Sequence, residues 1–151
     1  MSTRRKKFSP QARAAARQRA LQAVYQWQLT GCDTQTIESQ FFDEQDMRKV
    51  DAPYFKMLLH GIAEQVEKLD PTFVTFLDRN ITQLDPIELA ILRIGCYEFQ
   101  YCPDVPYKVV INEAVELAKK FGAAQSHKYI NGILDKSAHR LQKLSPSKNA
   151  N

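Results

Sequence analysis

Four times in its first 86 residues the chain sets a short polar acceptor one or two positions before a proline: Ser9-Pro10, Asp51-Ala52-Pro53, Asp70-Pro71 and Asp85-Pro86. Proline lacks an N–H, so it fits a helix only in the first turn, where that donor has no intrahelical partner anyway. Serine and aspartate just upstream accept from the other free N–H groups of that turn. Each pair therefore predicts a helix start. A chain so punctuated is a succession of helices, and little of it is left for a sheet.

The residues between the starts carry the helical period. After Ser9-Pro10, the positions Ala12, Ala16, Ala20, Val24 and Trp27 form one apolar line that stops at Gly31. A second, shorter helix follows Thr34, with Ile37, Phe41 and Phe42 on its buried side. Tyr54, Leu58, Ile62, Val66 and Leu69 make the stripe of the third. Asp70-Pro71 opens a short fourth helix through Phe73, Val74, Phe76 and Leu77. Asp85-Pro86, with Glu88 completing a capping-box spacing, opens the fifth, from Ile87 to about Tyr101. That helix is apolar almost all round, which places it at the centre of a bundle. Pro103 and Pro106 end it. A sixth helix runs from about Tyr107 to Phe121 and stops at Gly122, and Ser126 caps a seventh that buries Ile130, Ile133 and Leu134. The expectation is an all-α fold of about seven helices in two small helical-bundle subdomains sharing a core. Four helices fall in residues 9–80 and three in 81–144, between a basic flexible tail at 1–8 and a disordered tail at 145–151.

Charge is unevenly spread. Seven basic residues (Arg4, Arg5, Lys6, Lys7, Arg13, Arg17 and Arg19) precede the first acidic one, Asp33, while the remaining chain holds slightly more acid than base. A basic end on a mildly acidic body points to a polyanionic partner. A solvated tail and an organellar targeting peptide, also Arg- and Ala-rich and acid-poor, remain open on composition alone. Arg13 and Arg17 lie four apart on one helix face, with Tyr25 roughly below them. No secretory signal and no membrane span is expected, because the apolar runs are only a few residues long. Three cysteines, Cys32, Cys96 and Cys102, show no C-x-x-C pairing. That spacing fits neither a zinc site nor a disulfide framework, and it points to the reducing cytoplasm.

No catalytic constellation emerges. The five glycines are scattered and build no phosphate loop. His60, His127 and His139 have no ligand spacing, and His60 reads as structural. No metal or cofactor is expected. What remains is binding. Ser126, His127, Lys128 and Asn131 offer hydroxyl, imidazole, ammonium and amide groups around a helix start, a set suited to phosphates and base edges. A capped helix with a solvated polar face explains the same residues. On these residues alone, an RNA-binding factor and a protein-binding helical adaptor both stand, and a small enzyme is disfavoured.

The blocks Leu84–Ile94, Tyr97-Glu98, Asp104–Val109, Ile111–Gly122 and Lys128–Lys136, together with Ala20–Gln28, resemble the NusB family of bacterial transcription antitermination factors. The resemblance covers roughly residues 9–140. It implies an all-helical protein that binds the boxA element of ribosomal RNA leader transcripts with ribosomal protein S10. It also implies other Nus factors and RNA polymerase as partners, and resistance to Rho-dependent termination. It sets aside the targeting-peptide reading, because the family is bacterial and its first helix contains Arg13 and Arg17. A related family of ribosomal RNA cytosine methyltransferases begins with the same domain, but this chain has no room for a methyl-donor domain, so no enzyme is expected. By position, the resemblance implies RNA contacts at Arg13 and Arg17, although Ala14 and Ala15 interrupt the family's arginine run and Arg19 restores some charge. Tyr25 stands where an aromatic lies near the RNA, and Glu88 where an acidic residue does. Arg93 and Lys128 are phosphate contacts on this reading. Gln125 replaces a frequent acidic residue, which should reduce repulsion of phosphate.

Overall fold

The computed structural model describes residues 8–144, with side chains through Gln142, so the Arg4–Lys7 run and the Ser145–Asn151 tail lie outside the described residues. Within them the chain forms α1 (Pro10–Thr30), α2 (Thr34–Glu44), α3 (Ala52–Leu69), α4 (Pro71–Val74), α5 (Pro86–Tyr101), α6 (Tyr107–Phe121) and α7 (Ser126–Leu144), and no strand. A single 3-10 turn, Ile81–Gln83, lies between α4 and α5.

Three of the four polar–proline pairs behave as caps. Ser9 accepts from the Ala12 N–H, Asp51 from that of Tyr54, and Asp85 from those of Ile87 and Glu88. The fourth does not. Asp70 keeps helical backbone angles and makes no side-chain cap bond. Its N–H still closes α3 onto the Val66 carbonyl. Its carboxylate instead takes the Arg93 guanidinium at 3.0 and 2.8 Å. A two-pronged charged bond is stronger than a bond to one neutral N–H, so the distant partner wins. Helix α4 is then a single turn that ends at Val74, short of the expected Leu77.

Two further local expectations give way. Glu88 does not close a capping box. Its carboxylate accepts from the Ser126 hydroxyl at 2.8 Å, with both residues buried. Ser126 is accordingly the first residue of α7 rather than the cap before it. On α2, Ile37 and Phe41 are buried but Phe42 stays exposed; it meets Phe55 edge-on at 6.0 Å and lies under Lys56.

Helix α5 packs against α1, α3, α4, α6 and α7. It buries Ala90, Ile91, Leu92, Ile94, Cys96 and Phe99. Phe55 of α3, Phe73 of α4 and Ile130 of α7 join the same hydrophobic cluster, so one core continues across the 78–84 segment. Each large side chain so buried is worth roughly 1.5–3 kcal/mol. The elements that position the polar surface are held by close contacts to this core. A Cβ on Gly61 of α3 would lie 2.2 Å from the Tyr97 hydroxyl of α5. One on Gly122 would lie 2.9 Å from the Ala118 carbonyl oxygen and 3.0 Å from Ser126 Cβ, which makes the tight α6–α7 reversal a glycine position. Gly31, at φ 67°, ends α1 in the left-handed conformation. His60 is structural, bridging Thr34 and Glu38 of α2 at 2.9 and 2.7 Å.

Candidate nucleic-acid interface

The basic residues of α1 divide sharply. Arg17 is only 4% exposed. Its guanidinium bonds Glu98 of α5 at 2.9, 3.1 and 2.8 Å and Glu113 of α6 at 3.3 Å. Tyr54 of α3 donates its hydroxyl to the same Glu98 carboxylate. Burial works against the Arg17 charge, but the hydrogen bond and charge of Glu98 outweigh it and hold the guanidinium firmly protonated. Burial and the neighbouring Glu98 charge push the Tyr54 phenol well above its ordinary range. Four helices thus converge on one ion-paired knot, and Arg17 is committed to it.

Arg13 has a different setting. Its side chain is 37% exposed, 3.7 Å from Asp51, and 4.2 Å above the Tyr54 ring. Asp51 also donates its N–H to the Ala12 carbonyl, which fixes the start of α3 beside the start of α1. Arg13 is held on one side and open on the other. Arg19 is half-buried, and its Nε has no hydrogen-bond partner.

Tyr25 does not share a face with Arg17. Eight residues turn a helix by about 80° beyond two full turns. Arg17 therefore points into the core while Tyr25 lines a surface groove of about 610 Å³ between α1 and α2, with Gln22, Gln26, Leu29, Gln40 and Glu44. Twelve residues also separate Tyr25 from Arg13, about 18 Å of helix.

Arg93 is the second guanidinium the fold uses internally. Besides Asp70 it donates to Gln28 of α1 at 3.1 Å and lies over Trp27. Only 11% of its side chain is exposed. Gln28 in turn donates to the Pro86 carbonyl at 2.9 Å. With the Glu88–Ser126 bond, this sets the end of α1, the start of α5 and the start of α7 side by side. Around that junction Gln125, Lys128 and Asn131 are exposed and His127 half-buried. Ser126 and Glu88 satisfy each other beneath them.

Sequence reasoning passed over Lys119 and Lys120. Both are exposed in the last turn of α6, and Lys120 donates to Gln18 of α1 at 3.2 Å. They flank the α6–α7 reversal, so they add positive charge next to Lys128. A lysine pair immediately before the turn glycine was the available signal. The arrangement offers exposed ammonium and amide groups and a half-buried imidazole over a helix start, besides the Tyr25 groove between α1 and α2. Such a surface binds polyanions and offers stacking for bases.

The NusB family model matches residues 14–139. The transcription antitermination protein NusB of Saccharophagus degradans is 54% identical over 138 residues, covering 91% of this chain and 92% of that protein. Its counterpart in Actinobacillus succinogenes is 52% identical over 141 residues, covering 93% and 98%. Among solved structures, a crystal structure of antitermination factors NusB and NusE in complex with dsRNA aligns with a TM-score of 0.80, 25% identity, and coverage of 87% and 99%. NusB of T. maritima aligns with a TM-score of 0.75 at 26% identity, covering 88% and 93%. Matched over most of its length in both sequence and fold, this chain belongs to the NusB family.

Proposed function

We propose that the chain is a transcription antitermination factor, not an enzyme, that binds boxA RNA of ribosomal RNA leader transcripts together with ribosomal protein S10. In this reading it joins other Nus factors on RNA polymerase and helps the enzyme resist Rho-dependent termination in the bacterial cytoplasm. The observation that carries it is the match, over about nine-tenths of both chains and at more than half identity, to a protein named transcription antitermination protein NusB. The fold neighbour that holds NusE and RNA supports the same pair of partners. Among the described residues no helix is long and apolar enough to cross a membrane.

The proposed RNA-facing groups are Arg13, Arg19, Tyr25, Gln125, His127, Lys128 and Asn131, with Lys119 and Lys120 added. Arg17, Arg93, Glu88 and Ser126 act one layer below, by fixing the helices that carry those groups. A lysine that neutralises a phosphate releases counterions condensed on the RNA, so the logarithm of affinity should fall linearly with log salt. Tyr25 would add a stacking contact worth roughly 1–3 kcal/mol.

The test is a fluorescence anisotropy titration of a boxA RNA oligonucleotide, with and without S10, against a scrambled RNA. The expected result is a preference for boxA that S10 strengthens and salt weakens. Binding that is indifferent to sequence and unchanged by S10 would refute the proposal.

A further inference from the structure

The fold accounts for four of its five glycines and leaves the fifth unexplained. Gly31 needs its left-handed backbone, Gly61 the space taken by Tyr97, Gly95 that taken by Leu134, and Gly122 the tight α6–α7 reversal. Gly132 has none of these reasons. It lies inside α7 with no positive φ, and a Cβ there would meet nothing within 4 Å. It is exposed to solvent. A glycine in an exposed helix interior weakens the helix relative to alanine, and nothing among the described residues offsets that loss. What the position does offer is a bare stretch of helix backbone that a partner can approach closely.

The surroundings indicate what approaches. Lys128 and Lys136 stand four residues before and after Gly132, about 40° to either side of it around the helix, and both are exposed. Their Cα atoms are about 12 Å apart along the axis. Tyr129 stands three residues before Gly132. Its hydroxyl donates to Asp78 at 2.8 Å, and Arg79 lies 5.3 Å from its ring. Asp135 is the nearby carboxylate, next to Asn131. Two ammonium groups bracketing an open stretch of backbone complement a string of phosphates better than an apolar protein face.

We infer that the RNA strand continues along the outer face of α7, from Lys128 across the uncovered backbone at Gly132 to Lys136. This rests on the RNA reading above and extends its contacts two helical turns beyond Lys128. Gly132 serves as the point of close approach.

The experiment measures thermal midpoint, boxA RNA affinity and S10 association for the full-length wild type and for Gly132→Ala, Gly132→Leu and Lys136→Gln. Gly132→Ala should raise the midpoint by about 2–4 °C, because it removes a glycine from a helix without a clash. The same substitution should weaken RNA binding, and Gly132→Leu should weaken it by about tenfold or more. Lys136→Gln should reduce the salt slope by about one. A more stable protein that binds RNA less well is an outcome that no purely structural role for Gly132 produces. Wild-type affinity and salt slope in all three variants would overturn the inference while leaving the RNA reading intact. Loss of S10 association with unchanged RNA binding would also overturn it, by making this face a protein-docking surface. A wild type that binds no RNA would overturn both.

Discussion

Replacing Glu98 by glutamine tests what Arg17 is for. The two side chains are 1% and 4% exposed and share two-pronged hydrogen bonds. Removing one charge of a buried pair strands the other, at a cost of roughly 3–5 kcal/mol. Glu113 remains at 3.3 Å from the guanidinium, and the glutamine carbonyl still accepts one bond, so the lower end applies, about 3 kcal/mol. For a chain of this size that corresponds to a fall of about 6–12 °C in thermal midpoint. Arg17→Met should cost a similar amount, because it leaves the Glu98 carboxylate buried without the guanidinium that offsets its charge. The double variant removes both charges. Its glutamine carbonyl still accepts from Tyr54, the buried glutamine amide is left short of an acceptor at about 1 kcal/mol, and Met fills the space of the arginine stem. The two single costs should therefore exceed the double cost by at least about 2 kcal/mol. Urea denaturation of the four proteins measures this cycle, and RNA titration of the same samples separates folding from binding. An Arg17→Met protein with an unchanged midpoint and no RNA binding would refute the reasoning, since Arg17 would then face the ligand. Arg13→Gln is the counterpart: its exposed side chain predicts a midpoint close to wild type and a weaker, less salt-dependent RNA complex.

Gly61→Ala should destabilise by roughly 1–3 kcal/mol, because its Cβ collides with the buried Tyr97 ring; Tyr97→Leu in the same chain should restore part of the loss, and a neutral Gly61→Ala midpoint would contradict the packing. Burial pushes the Cys96 thiol from 9.0 up to about 12. The folded chain thus holds this proton more tightly than the unfolded one, so the Cys96 contribution is intact at neutral pH and is lost as pH climbs from about 9 towards 12. In native buffer an alkylating reagent should label half-buried Cys32 well before Cys96, and equal labelling rates would count against it. Gln125→Asp places a carboxylate immediately before the first residue of α7, a position that favours a stable helix start and disfavours phosphate. It should raise the midpoint slightly while lowering RNA affinity, and tighter binding would disprove the electrostatic account.

The helix starts could be read from the sequence because a cap is a local event, a side chain meeting a backbone N–H two or three residues on. Asp70 and Glu88 depart from that reading for one shared reason. Each carboxylate has a local donor and a distant one, and the distant partner is 23 residues away for Asp70 and 38 for Glu88. Separations of that kind leave no trace in spacing or periodicity. Arg17 is the extreme case, 81 residues from Glu98. In sequence, a basic residue on an amphipathic helix looks the same whether it faces phosphate or a buried carboxylate. One signal did exist, on the other partner. Glu98 sits near the end of the most apolar helix of the chain, and a carboxylate there must be paired with a cation or lose its charge. Counting the internal demand for cations first changes the reading of the basic surface. Glu98 and Asp70 claim Arg17 and Arg93, the two guanidiniums the fold holds most closely. The charges left for a polyanion then include Lys119, Lys120, Lys128 and Lys136, so the candidate surface extends from Arg13 and Arg19 of the arginine-rich first helix, where composition alone had placed it, onto α6 and α7.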